Sequence, residues 1–434
     1  MDEKKSLTTE ETFALAVQNH KKNNLKVAGN LYNEILKTNP NHVDARNNLG
    51  IILLKLGKLQ IAKSCFEKAI EINPSYAITH NNLGLVYKNL VELQKAKICF
   101  EKAIEIDSNF IDAHNNLGIV LKRLGELQKA KSSFEKAIEI SPSGAIVHNN
   151  LGVVFEELGE LQKAKSCTEK AIEINPNYVD AYWNLHSFTS DIDEALTILK
   201  KLYEIDNKYI KAKIMISALQ GFKGNFNEFD ALIASSDSNH PYMRSIKWIF
   251  SLPKLPKIFF NRWNFYDAVI ALTENSRPFY EFGVWYGISF KYLIKTFKKG
   301  FGFDTFTGLP EDWHSEPSGT YSSLGSIPKI KGGEFIVGKF ENTLPKFFSQ
   351  KRPIASLINF DADLYTSTLC ALNYSNKVID EKSILIFDEF LTNDNWEKDE
   401  YKALNEFCNN LGIGYEVLAV SFFSKQVAIK LKKN

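Results

Sequence analysis

The sequence is poor in several features that would otherwise fix its class. It holds no apolar run of about 18 residues, the least that spans a membrane as a helix. Its first residues, MDEKKSLTTEETF, are charged and lack an apolar centre, so no secretory signal is expected. Net charge is only +2, from 53 Lys and Arg against 51 Asp and Glu. A nucleic-acid binder carries a larger basic excess on one face, so no nucleic-acid partner is expected. The five cysteines form no CxxC pair, and Cys65, Cys99 and Cys167 share one position of a repeat. That usage points to reduced, packing cysteines in a cytoplasmic protein and not to a disulfide frame. What remains is an ordinary globular composition, 44% hydrophobic and 24% charged, in a chain of 434 residues, long enough for two or three domains.

The first half repeats itself. The string NNLG begins at residues 47, 81, 115 and 149, a spacing of 34 each time. Gly50, Gly84, Gly118 and Gly152 align, as do Ala62, Ala96, Ala130 and Ala164. Phe66, Phe100 and Phe134 follow at the same period, and Pro74, Pro142 and Pro176 close their copies. Period and positions together resemble the tetratricopeptide repeat, a helical hairpin that must stack on its neighbours to bury its apolar face. In this reading, small residues let the two helices approach and the aromatic fills the gap to the next repeat. Residues 9–42 are a weaker first copy, 179–210 a shortened last one, and 211–235 a degenerate pair. The array, about five repeats plus degenerate helices, is assigned to 1–235, a linker to 236–257 and a second domain to 258–434. His80, His114 and His148 sit one repeat apart, too far for one ion, and read as packing residues.

Asn48, Asn82, Asn116, Asn150 and Asn184 recur just before the repeat leucine. The resemblance extends to superhelical arrays such as that of O-linked N-acetylglucosamine transferase, where similar asparagines hold the backbone of an extended peptide. An amide suits that task because it donates and accepts. The same residues would equally serve as helix caps or inter-repeat hydrogen bonds. A peptide or protein partner on the array is the expectation that the resemblance implies.

From residue 279 short β-rich runs alternate with helical periods. Strands are expected near 279–283, 300–304, 334–338, 355–361, 383–388, 413–420 and 425–431, with helices near 287–298, 367–379 and 398–411. Such alternation implies a mostly parallel, doubly wound sheet whose ligand lies off the carboxyl ends of its strands. An amphipathic helix over 258–276 is expected to cover one face. No helix separates the last two strands, an ending that matches the seven-stranded, Rossmann-like sheet of class I S-adenosylmethionine methyltransferases. The expected fold is thus α + α/β, an all-α superhelix followed by that domain.

The stretch FYEFGVWYGISF, 279–290, has Gly283 and Gly287 but no third glycine, and Glu281 would repel a phosphate, so a dinucleotide site is disfavoured. Asp304 ends the next strand at the spacing of a ribose-binding acid. FDTFTGLPEDW, GKFENTLP, FDADLYTST and LIFDEF then follow in an order similar to the macrocin O-methyltransferase group of sugar O-methyltransferases. The resemblance covers about residues 279–431. It implies S-adenosylmethionine held by Glu281, Gly283, Val284, Trp285, Gly287, Ser289, Asp304, Thr305, Phe306, Gly338 and Phe340. It also implies a divalent ion, Mg²⁺, on Asp361, Asp388 and Glu389, with Asp361 as general base and a sugar or glycan hydroxyl as acceptor. Where that family has two aspartates, this chain has Asp388 and Glu389, whose second acid reaches one carbon farther. Asp363, with Thr366 and Ser367, reads as a helix cap. His314 is an alternative base, and 311–333 a candidate lid. Two other readings stay open, an interaction scaffold with an inactive domain and a methyltransferase for a peptide acceptor.

Overall fold

The computed structural model describes residues 7–432, and the chain divides into two compact units, Met1–Val154 and Phe155–Asn434. The first unit is all-helical. Its hairpins are Thr9–Lys21 with Leu25–Thr38, Val43–Lys55 with Leu59–Ile72, Ala77–Asn89 with Leu93–Ile106, and Ile111–Arg123 with Leu127–Ile140. The repeat residues account for the packing: Ala62, Phe66 and Ala69 have no exposed surface, nor do their successors Ala96, Phe100 and Ala103. The aromatic packs inside its own hairpin as well as toward the next repeat, where Phe66 shares an apolar cluster with Leu83 and Val86. A Cβ on Gly50 would lie 2.6 Å from the Phe66 ring, and one on Gly84 2.6 Å from Phe100. The turn inside each hairpin needs a left-handed residue. Gly57 and Gly125 supply it at φ 70° and 69°, whereas Val91 occupies the same place at φ 60°.

The repeat histidines are structural. The Nε2 atoms of His80, His114 and His148 lie 2.8, 3.0 and 3.0 Å from the carbonyl oxygens of Pro74, Ser108 and Pro142. Arg46 and Tyr182, in phase with them, donate to the carbonyls of Pro40 and Pro176.

The second unit holds the remaining helices and one sheet. The strands are β1 (Lys257–Phe259), β2 (Phe279–Phe282), β3 (Gly300–Asp304), β4 (Gly333–Val337), β5 (Leu357–Phe360), β6 (Ile384–Phe387), β7 (Gly414–Ser421) and β8 (Val427–Lys432). Their order is β1-β7-β8-β6-β5-β2-β3-β4. All neighbours pair parallel except those of β8, which is antiparallel to β6 and β7. The sheet therefore has eight strands and not seven. The extra one is β1, cut from the segment expected as a helix over 258–276. Asn261 stops the strand and caps a shorter helix, Arg262–Ile270, its side chain accepting from the Asn264 N–H at 2.9 Å. GKFENTLP begins where β4 ends, at the close of the strand expected over 334–338, and opens a helix, Phe340–Phe347, that buries Leu344 and Phe347.

Residues 236–257, expected as a linker, contain a helix, Pro241–Phe250, with His240 as its cap. Met243, Ile246 and Ile249, spaced three apart along one face, are fully buried. They belong to one apolar cluster that runs from Leu199, Ile214 and Leu219 to Phe282, Phe360 and Phe387. Helices from the end of the repeat array and the central strands of the sheet thus share a core. No helix among the described residues is long and apolar enough to cross a membrane.

Candidate functional site

Seven of the eight strands run one way, so their carboxyl ends gather on one edge. Sequence-distant segments meet there: 260–262 after β1, 283–287 after β2, 304–308 after β3, 338–340 after β4, 361–366 after β5, 388–400 after β6 and the 422–426 turn before β8. Strand order reverses between β2 and β5, which pair parallel, the place where open sheets leave a crevice. Backbone strain concentrates on this edge. Trp285, Phe306, His314, Tyr321, Leu324, Asp363, Thr392 and Lys425 all have φ between 49° and 65°, a conformation that costs side-chain-bearing residues energy and clusters at working sites.

The β2 turn is built on close approach. Gly283 has φ 91°, and a Cβ there would fall 1.7 Å from the Asp361 carbonyl oxygen. Gly287, at φ 70°, opens the helix Ile288–Phe297. Asp304 ties this turn to the next strand. Its Oδ2 accepts the N–H groups of Val284 and Trp285, both at 2.7 Å, and its Oδ1 accepts that of Phe306 at 2.6 Å. Those N–H groups meet a carboxylate already in place, which a pyrophosphate would face with repulsion. Of roughly four acceptor positions on a carboxylate, Asp304 has about one to spare for a ribose.

Glu281 lies beneath the turn and not on its rim. It has no exposed surface. Its Oε1 accepts from Ser289 and from Asn359 Nδ2, the latter at 2.9 Å, while Oε2 and the neighbouring Trp285 Nε1 are buried without a partner. Burial pushes its carboxyl from 4.5 to about 8, outweighing the two hydrogen bonds that favour its charged form. Val284 and Phe306 are buried, and Phe340 packs its ring edge-on to Phe282 at 5.7 Å. A cleft of ≈ 390 Å³ opens past the ends of β3 and β4, lined by Thr305, Gly308, Ser318, Gly338 and Lys339 among others.

The acids after β5 and β6 form the second half of the edge. Burial, then repulsion from Asp388, Asp363 and Glu281, holds Asp361 well above the usual carboxylate range. Burial, then Glu389 and Asp388, does the same to Asp363. Asp363 does not cap the following helix, Tyr365–Ser375, whose cap position falls to Leu364. Asp388 is raised by burial against the pull of Arg262. Its Oδ1 accepts from Gln426 and its Oδ2 lies 4.0 Å from Arg262 Nη2. Glu389 Oε2 is 2.8 Å from Lys425 Nζ and 2.7 Å from Asn393 Nδ2. Glu400 is fully buried, and burial, then Asp363, Asp388 and Glu389, raises it far above 4.5. Arg262, Glu400, Lys425 and Gln426 are the residues that sequence reasoning missed. None stands in a local motif; the fold alone brings them to Asp388.

The long β3–β4 connection reaches over these acids. His314 Nε2 lies 2.8 Å from Asp399 Oδ2, and Thr366 Oγ1 donates to Glu311 Oε1 at 2.7 Å. The candidate lid is thereby pinned to the segments after both β5 and β6. Beneath the β6 loop, the helix Pro241–Phe250 gives firm support. Ser245 Oγ accepts from the Thr392 N–H at 2.8 Å, and Arg244 Nε donates to Glu397 at 2.6 Å.

In the first unit, the repeat asparagines pair across neighbouring hairpins. Asn82, Asn116 and Asn150 each donate from Nδ2 to the Oδ1 of Asn47, Asn81 and Asn115, at 3.0 Å in every case. Asn82 is buried and Asn48, Asn116, Asn150 and Asn184 are half-buried. One amide hydrogen of each bonded donor is thus spent on the preceding repeat.

Residues 43–76, 77–110, 111–143 and 145–178 match the family model of the tetratricopeptide repeat. The chain therefore carries tetratricopeptide repeats through this segment, followed by a mixed sheet. Among solved structures it is similar to the crystal structure of MamA, at 26% identity over 37% of this chain and 94% of that one, with a TM-score of 0.35. YrrB, described as a tetratricopeptide protein with an unusual peptide-binding site, is similar at 24% identity over 44% of this chain and 97% of its own, TM-score 0.36. A thermophilic tetratricopeptide protein of Thermus thermophilus is similar at 23% identity over 42% and 98%, TM-score 0.37. No curated protein matches the chain.

Proposed function

We propose that the chain is an S-adenosylmethionine-dependent O-methyltransferase acting on a sugar or glycan hydroxyl, with its repeat array holding a peptide or protein partner. The observation that carries the reading is the single edge on which Gly283, Asp304, Asp361 and Asp388 follow the ends of β2, β3, β5 and β6, beside the reversal of strand order. That arrangement is what the likeness to sugar O-methyltransferases implies for 279–431. The cleft beside Thr305 and Gly338 suits an adenosine, and the unpartnered Trp285 Nε1 is a donor left for a ligand. Gly283, Val284, Trp285, Gly287, Asp304, Thr305 and Phe306 would hold the cofactor, with Glu281 and Ser289 bracing the turn from below. The bound cofactor supplies an electrophilic methyl group on a sulfonium.

The protein's own part is alignment and proton removal. Asp361 combines a raised proton affinity with a position after β5, next to the turn at Gly283. It takes the proton of the acceptor hydroxyl. Asp361→Asn is expected to remove turnover while S-adenosylhomocysteine still binds by calorimetry. Near-normal methyl transfer by that variant would exclude Asp361 as the base. On the array, Asn82, Asn116 and Asn150, each with one amide hydrogen on the preceding repeat, offer the other to an extended backbone.

One observation favours a second reading, an interaction scaffold without catalysis: Asp304 already spends both oxygens on backbone N–H groups. The same titration decides, because a scaffold would take up no S-adenosylhomocysteine.

A further inference from the structure

The likeness to sugar O-methyltransferases implies a divalent ion on Asp361, Asp388 and Glu389, and the side chains do not fit one. Among the described residues, no three His, Cys, Asp or Glu side chains are grouped so as to hold a metal ion. Glu389 is engaged by Lys425 and Asn393, and Asp388 by Gln426, with Arg262 4.0 Å away. Mg²⁺ demands a near-ideal octahedron of oxygens, and the Glu389 carboxylate, though close to Asp363 and Asp388, spends itself on an ammonium and an amide.

We propose that Lys425 is the resident cation of this edge, filling with its ammonium the role a divalent ion would otherwise take. Its Nζ donates to Glu389 Oε2 and to Asn393 Oδ1, each at 2.8 Å. Asn393 returns a bond from Nδ2 to the same glutamate oxygen at 2.7 Å, so the three side chains close a ring. Lys425 sits in the tight turn between β7 and β8 at φ 65°, a strained backbone held by its surroundings. The same turn places Gln426 on Asp388. An ammonium has three donors. Two are committed within the ring, and the third, on a side chain 32% exposed, is left for a substrate oxygen. A compact, strongly hydrated point charge of this kind stabilises the developing alkoxide of an acceptor hydroxyl electrostatically, as a preorganised donor does. This inference rests on the proposed methyl transfer for the role of the charge, but its placement of the charge is tested without turnover.

The test uses the full chain and Mn²⁺ as the probe, followed by electron paramagnetic resonance of the free ion, with wild type, Lys425→Gln and Lys425→Arg compared. Wild type and Lys425→Arg are expected to show no saturable binding below about 1 mM. Lys425→Gln, which frees the Glu389 carboxylate beside Asp363 and Asp388, is expected to bind Mn²⁺ at least about 10-fold more tightly. Saturable binding by the wild type at lower concentration would overturn the proposal, and so would a Lys425→Gln protein as blind to Mn²⁺ as the wild type. If Lys425→Gln fails to fold, Lys425→Met keeps the stem without the charge and carries the same expectation. Calorimetry with S-adenosylhomocysteine runs alongside: no uptake by the wild type would remove the proposed enzyme while leaving the metal result to stand or fall separately.

Discussion

Glu281→Gln isolates the energetic cost of the acid beneath the β2 turn. In the folded chain this carboxyl is pushed from 4.5 to about 8, chiefly by burial. Between those values the folded protein keeps a proton that the unfolded chain releases, so the contribution of Glu281 to stability is complete below pH 4.5 and declines as pH rises toward 8. At pH 7 the folded state must bind a proton against a 2.5-unit gap, about 3 kcal/mol; at pH 5 the corresponding cost is about 0.7 kcal/mol. Glutamine never titrates and keeps an oxygen for Ser289 and Asn359. The variant is therefore expected to gain on the wild type by about 1.4 kcal/mol per pH unit from pH 5 to 7.5, and to lose that slope above pH 8. Asp361, Asp363 and Glu400 are raised in the same direction, so the wild-type slope alone is not diagnostic; the difference between the two proteins is. Urea melts at pH 5, 6, 7 and 8, read by tryptophan fluorescence, measure it. Parallel curves for the two proteins across this range would refute the reasoning, since they would mean that Glu281 ionises normally.

Two further outcomes are expected in the repeats. Val91→Gly should stabilise the first unit by about 1 kcal/mol, the left-handed penalty of about 1–2 kcal/mol less the unfolded-chain entropy that glycine restores; an unchanged or lower urea midpoint would count against the strain at φ 60°. Asn82→Ala, Asn116→Ala and Asn150→Ala together remove three inter-repeat bonds of 3.0 Å and should cost about 1 kcal/mol each along with capture of a peptide partner. A destabilised triple variant that still retains the partner would reject the row as its binding surface.

The sequence was most informative where a local period or a strand-end motif repeats itself. The hairpins of the array follow from NNLG and its alanines, and the seven strands from Phe279 to Lys432 fall close to their expected places because each is an apolar run between turn residues. Three elements escaped. β1 is three residues long and pairs with β7, more than 150 positions away, so nothing local marks it. The helix Pro241–Phe250 looked like a linker because prolines and polar residues flank it, although its apolar spacing of three was legible. The helix at Phe340 was hidden by Gly338 and Pro345. At the site, Gly283, Asp304, Asp361 and Asp388 stood in readable strings, whereas Arg262 and Lys425 are ordinary surface-type residues until the sheet closes around them. The depth of Glu281 and the engagement of Glu389 could not be read from residue type, since both depend on where neighbouring side chains point.

The shared core of the second unit has a consequence for how such a chain can vary over evolutionary time. Copies of the 34-residue module within 43–140 pack on the hairpins beside them and, among the described residues, add nothing to the apolar cluster of Leu199, Met243 and Phe282, so duplication or loss of one there leaves that cluster intact. The helices from Val179 to Phe250 have no such freedom. A crossover event that grafted the sheet onto a different array at residue 258 would expose Ile214, Leu219, Ile246 and their partners to water and deprive the Thr392 loop of its floor. The viable exchange point lies upstream, near residue 155, which makes the last helices of the array hereditary companions of the sheet.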